Sequence, residues 1–282
     1  MLTTATKVSI ARVLSKSLVS LGIEPHRQIR RNGLIFEVDL REGIDLSLFL
    51  FGSFERDVLA TIKSLVPTDG VVIDVGANIG AVTIPVADYL DKGHVYAVEP
   101  TDFAFAKLRR NLALNPRLSP RVTTIQSFIA SEAATVSDLV AYSSWPVTGE
   151  SQNEQHPVHK GVRQTTSCGQ ISLDGLIATH RIPTVSLVKI DTDGHEFTVL
   201  TGATACLKQY RPPVVFEACE YLLVPPRPTF QDFVQLFASL DYTICDSPRM
   251  QPIDHQRFLR TCPRGGGLDL LALPNERLGI PH

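Results

Sequence analysis

The sequence is poor in residues that stabilise small secreted domains or bind zinc. It has 282 residues but only five cysteines, which are widely spaced and form no C-x-x-C pair. They are Cys168, Cys206, Cys219, Cys245 and Cys262. An odd, scattered set excludes a disulfide framework and the usual spacing of zinc ligands. We therefore expect reduced, mostly buried thiols and a fold that is stabilised by its apolar core.

Net charge and long apolar runs are also lacking. The 27 Lys and Arg residues nearly balance the 29 Asp and Glu residues, which gives a formal net charge of -2. This balance provides no general attraction to nucleic acid or to an anionic membrane. No uncharged apolar stretch reaches the ~18 residues of a transmembrane helix, and the first residues lack the apolar segment of a signal peptide. We expect a cytoplasmic protein without nucleic-acid or membrane partners.

Short apolar runs alternate with helical segments from residue 71 onward. The runs are VVIDV, HVYAV, RVTTI, VSLVKI and PPVVFEA, with further strands predicted at 242–245 and 268–273. Helical periodicity predicts helices over Ile79–Leu90, Phe103–Asn115, Glu196–Tyr210 and Phe230–Leu240. This alternation indicates an α/β fold with a largely parallel sheet covered by helices on both faces.

The residues before this alternation form a distinct segment. Apolar residues at helical spacing predict an N-terminal helix, and Asn32-Gly33 predicts a tight β-hairpin turn. We divide the chain into a helix and hairpin extension over residues 1–66 and a main domain over residues 67–282. Within the domain, the polar and aperiodic segment 143–164 predicts either a flexible lid or a solvated loop.

A strand followed by a glycine-bracketed turn, VVIDVGANIG at 71–80, predicts a nucleotide site. Its spacing differs from the G-x-G-x-x-G of dinucleotide-binding enzymes. Asp74, at the strand end, would repel a pyrophosphate but suits the ammonium group of S-adenosylmethionine (SAM). We predict that the turn binds SAM through residues that follow the strand. They are Asp74, Gly76, Ala77, Asn78 and Gly80.

Further cofactor contacts are predicted at the ends of the next two strands. Glu99 ends the run VYAVE, near the offset at which an acidic side chain binds both ribose hydroxyls. Ser127 and Phe128 follow VTTIQ and are the natural neighbours of an adenine ring, although a phenylalanine there is more often part of the core. The alternative for the whole turn is an unoccupied strand–turn–helix whose glycines serve packing.

The segment KIDTDGHE at 189–196 concentrates titratable groups behind another strand. We predict Asp191 as a catalytic or substrate-orienting carboxylate, and His195 as a general base or, alternatively, as a helix-capping or substrate-contact residue. Asp193 is predicted in the same site, or as the N-cap of the following helix. Glu217, which closes a strand at the same edge, is a predicted acceptor contact or a surface residue. Asp191, Asp193 and Glu217 could also hold a divalent cation, but we favour the metal-free alternative.

The chain resembles the FkbM-type SAM-dependent methyltransferases. The matching segments are VVIDVGANIGAVT at 71–83, YAVEP at 96–100, ISLDGLI at 171–177, LVKIDTDGHEFTVLTGA at 187–203 and PPVVFEA at 212–218. The resemblance implies a Rossmann-like seven-stranded sheet and methyl transfer from SAM to a hydroxyl of a sugar or specialised metabolite. Through GSFERDV at 52–58 it also implies that Glu55 reaches the methionyl end of SAM. The family motif D-x-E-G is Asp191-Thr192-Asp193-Gly194 here, which shortens one carboxylate.

Two other functions remain open from the sequence. One is a SAM-dependent methyltransferase that acts on RNA or protein. The sequence has no basic excess and no N/D-P-P-Y/F motif, and both absences disfavour this function. The other is a non-catalytic partner protein that binds SAM only for stability. The expected partner is a small molecule with a hydroxyl group.

Overall fold

The structure is a computed structural model that describes residues 4–131, 140–142, 163–165, 168–219, 228–247, 249–262 and 267–279. Of the predicted lid at 143–164, residues 143–162 lie outside the described residues. Arg163–Thr165 is a strand that pairs with Val140–Tyr142 in antiparallel orientation. The role of the segment as a lid therefore stays a prediction.

The described residues form ten α-helices and thirteen β-strands. The helices are α1 (Thr4–Ser20), α2 (Gly43–Phe51), α3 (Arg56–Leu65), α4 (Thr83–Tyr89), α5 (Asp102–Ala113), α6 (Leu173–Thr179), α7 (Glu196–Thr201), α8 (Thr204–Tyr210), α9 (Phe230–Ala238) and α10 (His255–Thr261). The strands are β1 (His26–Arg31), β2 (Leu34–Asp39), β3 (Val71–Val75), β4 (His94–Val98), β5 (Val122–Ile125), β6 (Phe128–Ile129), β7 (Val140–Tyr142), β8 (Arg163–Thr165), β9 (Gln170–Ile171), β10 (Leu187–Ile190), β11 (Val214–Cys219), β12 (Tyr242–Asp246) and β13 (Gly267–Pro274).

The central sheet has seven strands in the order β12-β13-β11-β10-β3-β4-β5. The five strands from β11 to β5 run parallel, whereas β13 pairs antiparallel with both β11 and β12. This confirms the predicted α/β class and the seven-stranded sheet. The strand order changes direction at β3: β4 and β5 follow on one side of it, whereas β10 lies on the other side. Open α/β sheets bind ligands in the crevice that forms at such a point, at the carboxyl ends of the strands.

Each face of the sheet carries its own apolar core, as strands covered on both sides require. On one face Val72, Leu187 and Val215 pack with α2 to α5 and the hairpin. On the other face Ile73, Val188 and Phe216 pack with α6 to α9. The β-branched runs of the sequence thus correspond to strands that are buried on both faces.

The N-terminal extension confirms the predicted helix and hairpin. Asn32 and Gly33 have φ of 50° and 82°, the left-handed pair that a tight hairpin turn requires, and β1 and β2 pair on either side of it. The hairpin also shares a core with the sheet, because Phe36 and Val38 pack in the cluster that contains Val72. The apolar core therefore continues across the predicted boundary at residue 66.

Two predicted helices differ from the structure. The helix predicted from Ile79 begins at Thr83, because Asn78 and Gly80 have left-handed φ of 48° and 87°. The helix predicted over Glu196–Tyr210 is two helices that break at Gly202, where a β-carbon would lie 2.4 Å from the Ala130 carbonyl oxygen. Helices α2, α6 and α10 were not predicted.

The cysteines are mostly buried, as the sequence led us to expect. Four of the five are buried, and Cys168 is half-buried. In the part of the chain that the structure describes, every helix is too short or too polar to cross a lipid bilayer.

Candidate active site

Charged side chains cross the carboxyl edge of the sheet on one face. Lys189 on β10 faces Asp74 on β3 in the parallel register, and Glu217 on β11 faces Asp269 on β13 in the antiparallel register. The β11 residue that faces Lys189 lies two positions before Glu217, and alternate residues of a strand share a face. Asp191 likewise lies two positions beyond Lys189. Four neighbouring strands thus bring these five charged side chains together.

Lys189 is the cation of this row. Its side chain is 4% exposed, and its Nζ lies 3.4 Å from Asp74 Oδ1, 3.4 Å from Asp191 Oδ2 and 3.9 Å from Glu55 Oε2. Burial alone lowers the pKa of Lys189, but these three carboxylates, together with Asp269, raise it well above its usual value. The motifs in the sequence did not lead us to predict a role for this residue. The signal is a lysine inside the apolar run VSLVKI, since a buried lysine needs a partner.

Asp74 is buried against that lysine, at 1% exposure. Its Oδ2 accepts a hydrogen bond from Thr83 Oγ1 at 2.6 Å, while its Oδ1 accepts none within the described residues. From the sequence we expected Asp74 to face a cationic ligand, whereas the structure places the Lys189 ammonium beside it. The charge argument for SAM is weaker as a result, since Asp74 Oδ1 accepts no hydrogen bond from the described residues but is ion-paired with Lys189 Nζ at 3.4 Å.

Gly76 and Gly80 are required by packing within the protein. At Gly76, with φ of 79°, a β-carbon would lie 1.7 Å from the Asp191 carbonyl oxygen, so the close neighbour is backbone rather than a ligand. At Gly80 a β-carbon would lie 2.7 Å from Leu108 Cδ1 on α5. Ala77, between them, is buried and donates its N–H to the Val98 carbonyl.

Glu99 already accepts hydrogen bonds from the protein. Oε1 accepts from the Thr101 N–H at 2.9 Å and from its hydroxyl at 2.5 Å, and Oε2 accepts from the Asn78 N–H at 3.0 Å. Each carboxylate oxygen has two lone pairs, so Oε2 has one left for a ligand donor. Burial raises the pKa of Glu99 to about 7, against the lowering effect of these hydrogen bonds.

Asn78 contributes a second polar side chain next to Glu99 in the turn after β3. Its backbone is left-handed, and its side-chain Oδ1 is buried without a hydrogen-bond donor among the described residues. Asparagine tolerates this conformation better than most residues. The turn therefore presents an unsatisfied acceptor beside Glu99.

The segment after β10 is a compact turn closed by Glu196. Glu196 Oε1 accepts from the Thr192 N–H at 2.9 Å, and both of its carboxylate oxygens accept from the Gly194 N–H at 3.1 Å. Burial raises the pKa of Glu196 to about 7. The predicted N-cap role of Asp193 is wrong: Asp193 has a left-handed φ of 52°, and His195 is the N-cap residue of α7.

His195 lies beside the predicted adenine neighbours. Its ring is 5.0 Å from the ring of Phe128, in an edge-to-face arrangement. Phe128 is 4% exposed, and Ser127 donates its hydroxyl to the Gly169 carbonyl at 2.8 Å. The structure therefore brings the predicted base and the predicted adenine contact together, which the sequence did not suggest.

Glu55 contacts the charged row through Lys189, and Glu217 is part of the row. Glu55 is the N-cap residue of α3 and has a left-handed φ of 50°. Its Oε2 is buried and accepts no hydrogen bond from the described residues. Burial raises the pKa of Glu55 and of Glu217 well above the usual value, and the charge of Asp191 raises both further.

A cleft opens at the carboxyl ends of β10 and β11. It is open to solvent, and the volume of about 260 Å³ between its walls includes open solvent space. Its described lining residues are Gly194, Glu196, Phe197, Glu217, Ala218, Cys219, Pro228 and Phe233. Carboxylates and aromatic rings therefore meet at the edge where a ligand of this fold would bind.

The metal alternative has no arrangement of side chains to support it in the described ranges. No group of three His, Cys, Asp or Glu residues there has the geometry to hold a metal ion. The carboxylates of the row are spread along the edge, with Lys189 between Asp74 and Asp191.

Comparison with known proteins decides the family. A family model described as the methyltransferase FkbM domain matches residues 74–244, which is more than half of the chain. The chain belongs to the FkbM methyltransferase family. The resemblance read from the sequence is thereby confirmed.

One relative and two solved structures illustrate what this FkbM-family chain is similar to. Hexuronic acid methyltransferase AglP of Haloferax volcanii is 29% identical over 154 residues, which cover 55% of this chain and 58% of that protein. The chain thus matches less than two thirds of that relative's length.

The two structures share 15% and 14% sequence identity with the chain. TYW2 of P. horikoshii, in complex with MeSAdo, has a TM-score of 0.44 and covers 94% of this chain and 83% of its own. Precorrin-6y C5,15-methyltransferase of Geobacter metallireducens has a TM-score of 0.43 and covers 78% of this chain and 91% of its own.

Proposed function

We propose that this protein transfers the methyl group of SAM to a hydroxyl of a sugar or specialised metabolite. Membership of the FkbM family supports methyl transfer. The name of the Haloferax relative, a hexuronic acid methyltransferase, supports a sugar acceptor. The activity, the donor and the acceptor are all part of the proposal.

Three buried acceptor atoms carry the assignment of SAM. Asp74 Oδ1, Glu55 Oε2 and Asn78 Oδ1 accept no hydrogen bond within the described part of the chain, although Lys189 Nζ lies 3.4 Å from the first atom and 3.9 Å from the second. Buried acceptors without hydrogen bonds are costly, so these atoms support a ligand that supplies N–H or O–H groups. The ammonium group and ribose hydroxyls of SAM are donors of this kind. The residues present therefore fit SAM.

The cofactor side divides into three contacts along the edge. Asp74 and Glu55 would bind the ammonium group of SAM. Lys189 lies next to them, and its positive charge reduces the repulsion among the carboxylates. Glu99 would accept a ribose hydroxyl through its free lone pair on Oε2. Ser127 and Phe128 would border the adenine, with the backbone of the turn from Gly76 to Gly80 in between.

The acceptor side is assigned to the residues after β10 and β11. SAM, when bound, supplies a methyl group on a positively charged sulfur. Asp191, whose side chain is 30% exposed, would accept the hydrogen bond of the acceptor hydroxyl and take its proton as the new O–C bond forms. Lys189 Nζ, 3.4 Å away, donates a hydrogen bond to this carboxylate and orients it. Asp193 and Glu217 would bind the acceptor, and His195 is the alternative base.

Ligand-induced stabilisation tests the donor. SAM and S-adenosylhomocysteine should raise the unfolding temperature, because each stabilises the folded state by RT ln(1 + [L]/Kd), while NAD should not. Stabilisation by NAD alone would remove the methyltransferase assignment.

Replacement of Asp191 tests the acceptor side. Asp191→Asn should lower turnover with labelled SAM by about 10²-fold or more, because it removes the proton acceptor, while affinity for S-adenosylhomocysteine changes little. Equal losses of turnover and affinity would instead place Asp191 in the cofactor site. Activity that survives a chelator would favour the metal-free alternative.

A further inference from the structure

Charge is divided unequally between the start of the chain and the rest of it. Residues 1–31 contain six Lys and Arg residues and one acid, Glu24, which gives this segment a formal charge of +5. Residues 32–282 contain 21 Lys and Arg residues and 28 acids, which gives a formal charge of -7. The overall charge of -2, from which we expected no membrane partner, therefore hides a basic segment.

The acids next to this segment are neutralised within the protein, whereas several of its cations are not. The acidic side chains of β2 and α2 all form ion pairs, which are Glu37–Arg110, Asp39–Arg41 and Asp45–Lys107. Lys16, Arg27 and Arg31 form no ion pair with any residue that the structure describes. Arg27 and Arg31 lie instead over the ring of Phe49, at 5.7 Å and 5.6 Å from its centre. Their positive charge is therefore available to a partner.

Helix α1 exposes an apolar stripe in the same segment. Ile10, Val13 and Leu14 are 46%, 64% and 39% exposed, and their spacing of i, i+3 and i+4 places them on one side of the helix. They lie on a different side from Ala11 and Leu18, which pack against the protein core. Helix α1 contains no acidic residue. The exposed part of this helix is therefore apolar and basic.

The end of α2 exposes further apolar side chains close to arginines. Leu50 is 37% exposed and Phe51 is 61% exposed, and Arg56 donates a hydrogen bond to the Phe51 carbonyl. Helix α1 packs against α2, and α2 packs against β1. We define the N-terminal surface as the set of these side chains. They are the apolar Ile10, Val13, Leu14, Leu50 and Phe51 and the cationic Lys16, Arg27, Arg31 and Arg56.

Charge and hydrophobicity together select the kind of partner that fits this surface. In a two-fold dimer the same surface of two copies would meet, so cations would oppose cations. A nucleic acid would neutralise the cations, but its backbone offers phosphates and sugars to the apolar side chains. An anionic lipid bilayer supplies phosphates for the cations and an acyl boundary for the apolar side chains. The bilayer therefore satisfies both halves of the surface.

We propose that the N-terminal surface binds an anionic lipid bilayer, with α1 lying along the interface. Its lysine and arginine side chains contact lipid phosphates, while the stripe of Ile10, Val13 and Leu14 enters the boundary between headgroups and acyl chains. A helix bound in this way lies on the bilayer and does not cross it. The binding requires neither SAM nor an acceptor, so it is independent of the proposed methyl transfer.

Vesicle flotation with the full chain tests the proposal. Vesicles that contain about 30 mol% phosphatidylglycerol should bind the protein at least about tenfold more tightly than vesicles of phosphatidylcholine alone. Raising the ionic strength from about 0.1 to about 1 M should remove most of this difference, because salt screens the lipid charge. Equal binding to both kinds of vesicle, or binding to neither, would overturn the proposal.

Two double variants separate the apolar contribution from the charged one. Val13→Ser with Phe51→Ser should weaken binding to the anionic vesicles about tenfold, because less apolar surface is buried. Lys16→Gln with Arg27→Gln should weaken it by a similar factor and also reduce its dependence on salt. Unchanged vesicle binding in both double variants would overturn the assignment to the N-terminal surface.

Matched controls lie elsewhere on the molecule. Leu259→Ser removes an apolar side chain that is 49% exposed on α10, and Lys92→Gln removes an exposed cation before β4. Both controls should bind the anionic vesicles as the unchanged protein does. Losses in the controls as large as those in the double variants would contradict a specific surface. Binding of duplex DNA without binding of vesicles would replace the proposed partner.

This proposal and the proposed function fail separately. None of the substituted residues lies in the proposed site, so all variants should bind S-adenosylhomocysteine, in the absence of vesicles, with the affinity of the unchanged protein. If the cofactor binds but vesicles do not, only the membrane proposal fails. If vesicles bind but SAM and S-adenosylhomocysteine do not, only the proposed function fails.

Discussion

At the scale of single residues, Lys189 sets the charge balance of the site. Its ammonium group lies among three carboxylates that come from β3, from the end of β10 and from the start of α3. Without this ammonium group, the buried carboxylates would face one another with no cation between them. One side chain thus provides the positive charge that these acids share at the sheet edge.

Removal of the Lys189 ammonium group should destabilise the folded protein. We expect Lys189→Met to lower the free energy of unfolding by about 3–5 kcal/mol at pH 8, because it leaves uncompensated buried charges. Adding Asp74→Asn should recover part of the loss, since the two residues interact directly. Chemical denaturation measures both effects. Lys92→Met, at an exposed position, is the control and should change stability by less than about 0.5 kcal/mol.

Glu99 should give cofactor affinity a pH dependence. In the free protein the pKa of Glu99 is raised to about 7, and ribose hydroxyl donors favour its ionised form. Affinity for S-adenosylhomocysteine should therefore rise as the pH approaches about 7 and level off above it. Glu99→Gln should remove this rise and weaken binding about 10–100-fold at pH 8. Calorimetric titration with S-adenosylhomocysteine from pH 6 to 8 measures both effects.

Glu196 provides the competing explanation, since its pKa is also raised to about 7. If the rise persists in Glu99→Gln, another group causes it and the role given to Glu99 is contradicted.

At the scale of elements, the close approach of the segments after β3 and β10 defines the site. The Asp191 carbonyl fills the place where a side chain at residue 76 would begin. Helix α4 consequently starts late, after a left-handed stretch that includes Asn78 and Gly80. The sequence predicted a glycine turn here, but local patterns did not show that the contact partner was a segment more than 100 residues away.

Glycine substitutions test this contact. Gly76→Ala should lower the free energy of unfolding by more than about 4 kcal/mol or prevent folding, because its β-carbon would overlap the backbone of Asp191. Gly33→Ala is matched to it: its φ is 82°, but no atom lies within 4 Å of the added carbon. It should cost only about 1–2 kcal/mol of backbone strain. Similar losses in both variants would show that conformation, not the close contact, sets the cost.

At the scale of the whole molecule, the N-terminal hairpin supports the nucleotide turn. Asn111 on α5 accepts a hydrogen bond from the Glu37 N–H at 2.7 Å and donates one to the Ile79 carbonyl at 2.9 Å. A buried ion pair joins Lys107 on α5 to Asp45 on α2. The extension is therefore connected to the cofactor side of the site through α5.

Truncations test whether the N-terminal extension supports the cofactor side of the site or is only an appendage. Deletion of residues 1–41 should abolish folding or cofactor binding, because it removes the hairpin from the core and leaves the Asn111 side chain without its backbone partner. Deletion of residues 1–20 removes only α1, most of whose described side chains are exposed, and should lower the unfolding temperature by no more than about 5 °C. Full cofactor binding by the protein that lacks residues 1–41 would contradict the supporting role of the hairpin.

The sequence by itself determined the α/β class, the main strands, the hairpin and most of the acidic residues at the sheet edge. These follow from local periodicity, turn residues and the rule that ligands bind at the carboxyl ends of parallel strands. The tertiary structure decided that Asp74 pairs with Lys189, that Glu217 faces Asp269 and that Gly76 meets Asp191. Those contacts join strands that are adjacent in the sheet but distant along the chain, and the strand register that creates them is a property of the packed sheet.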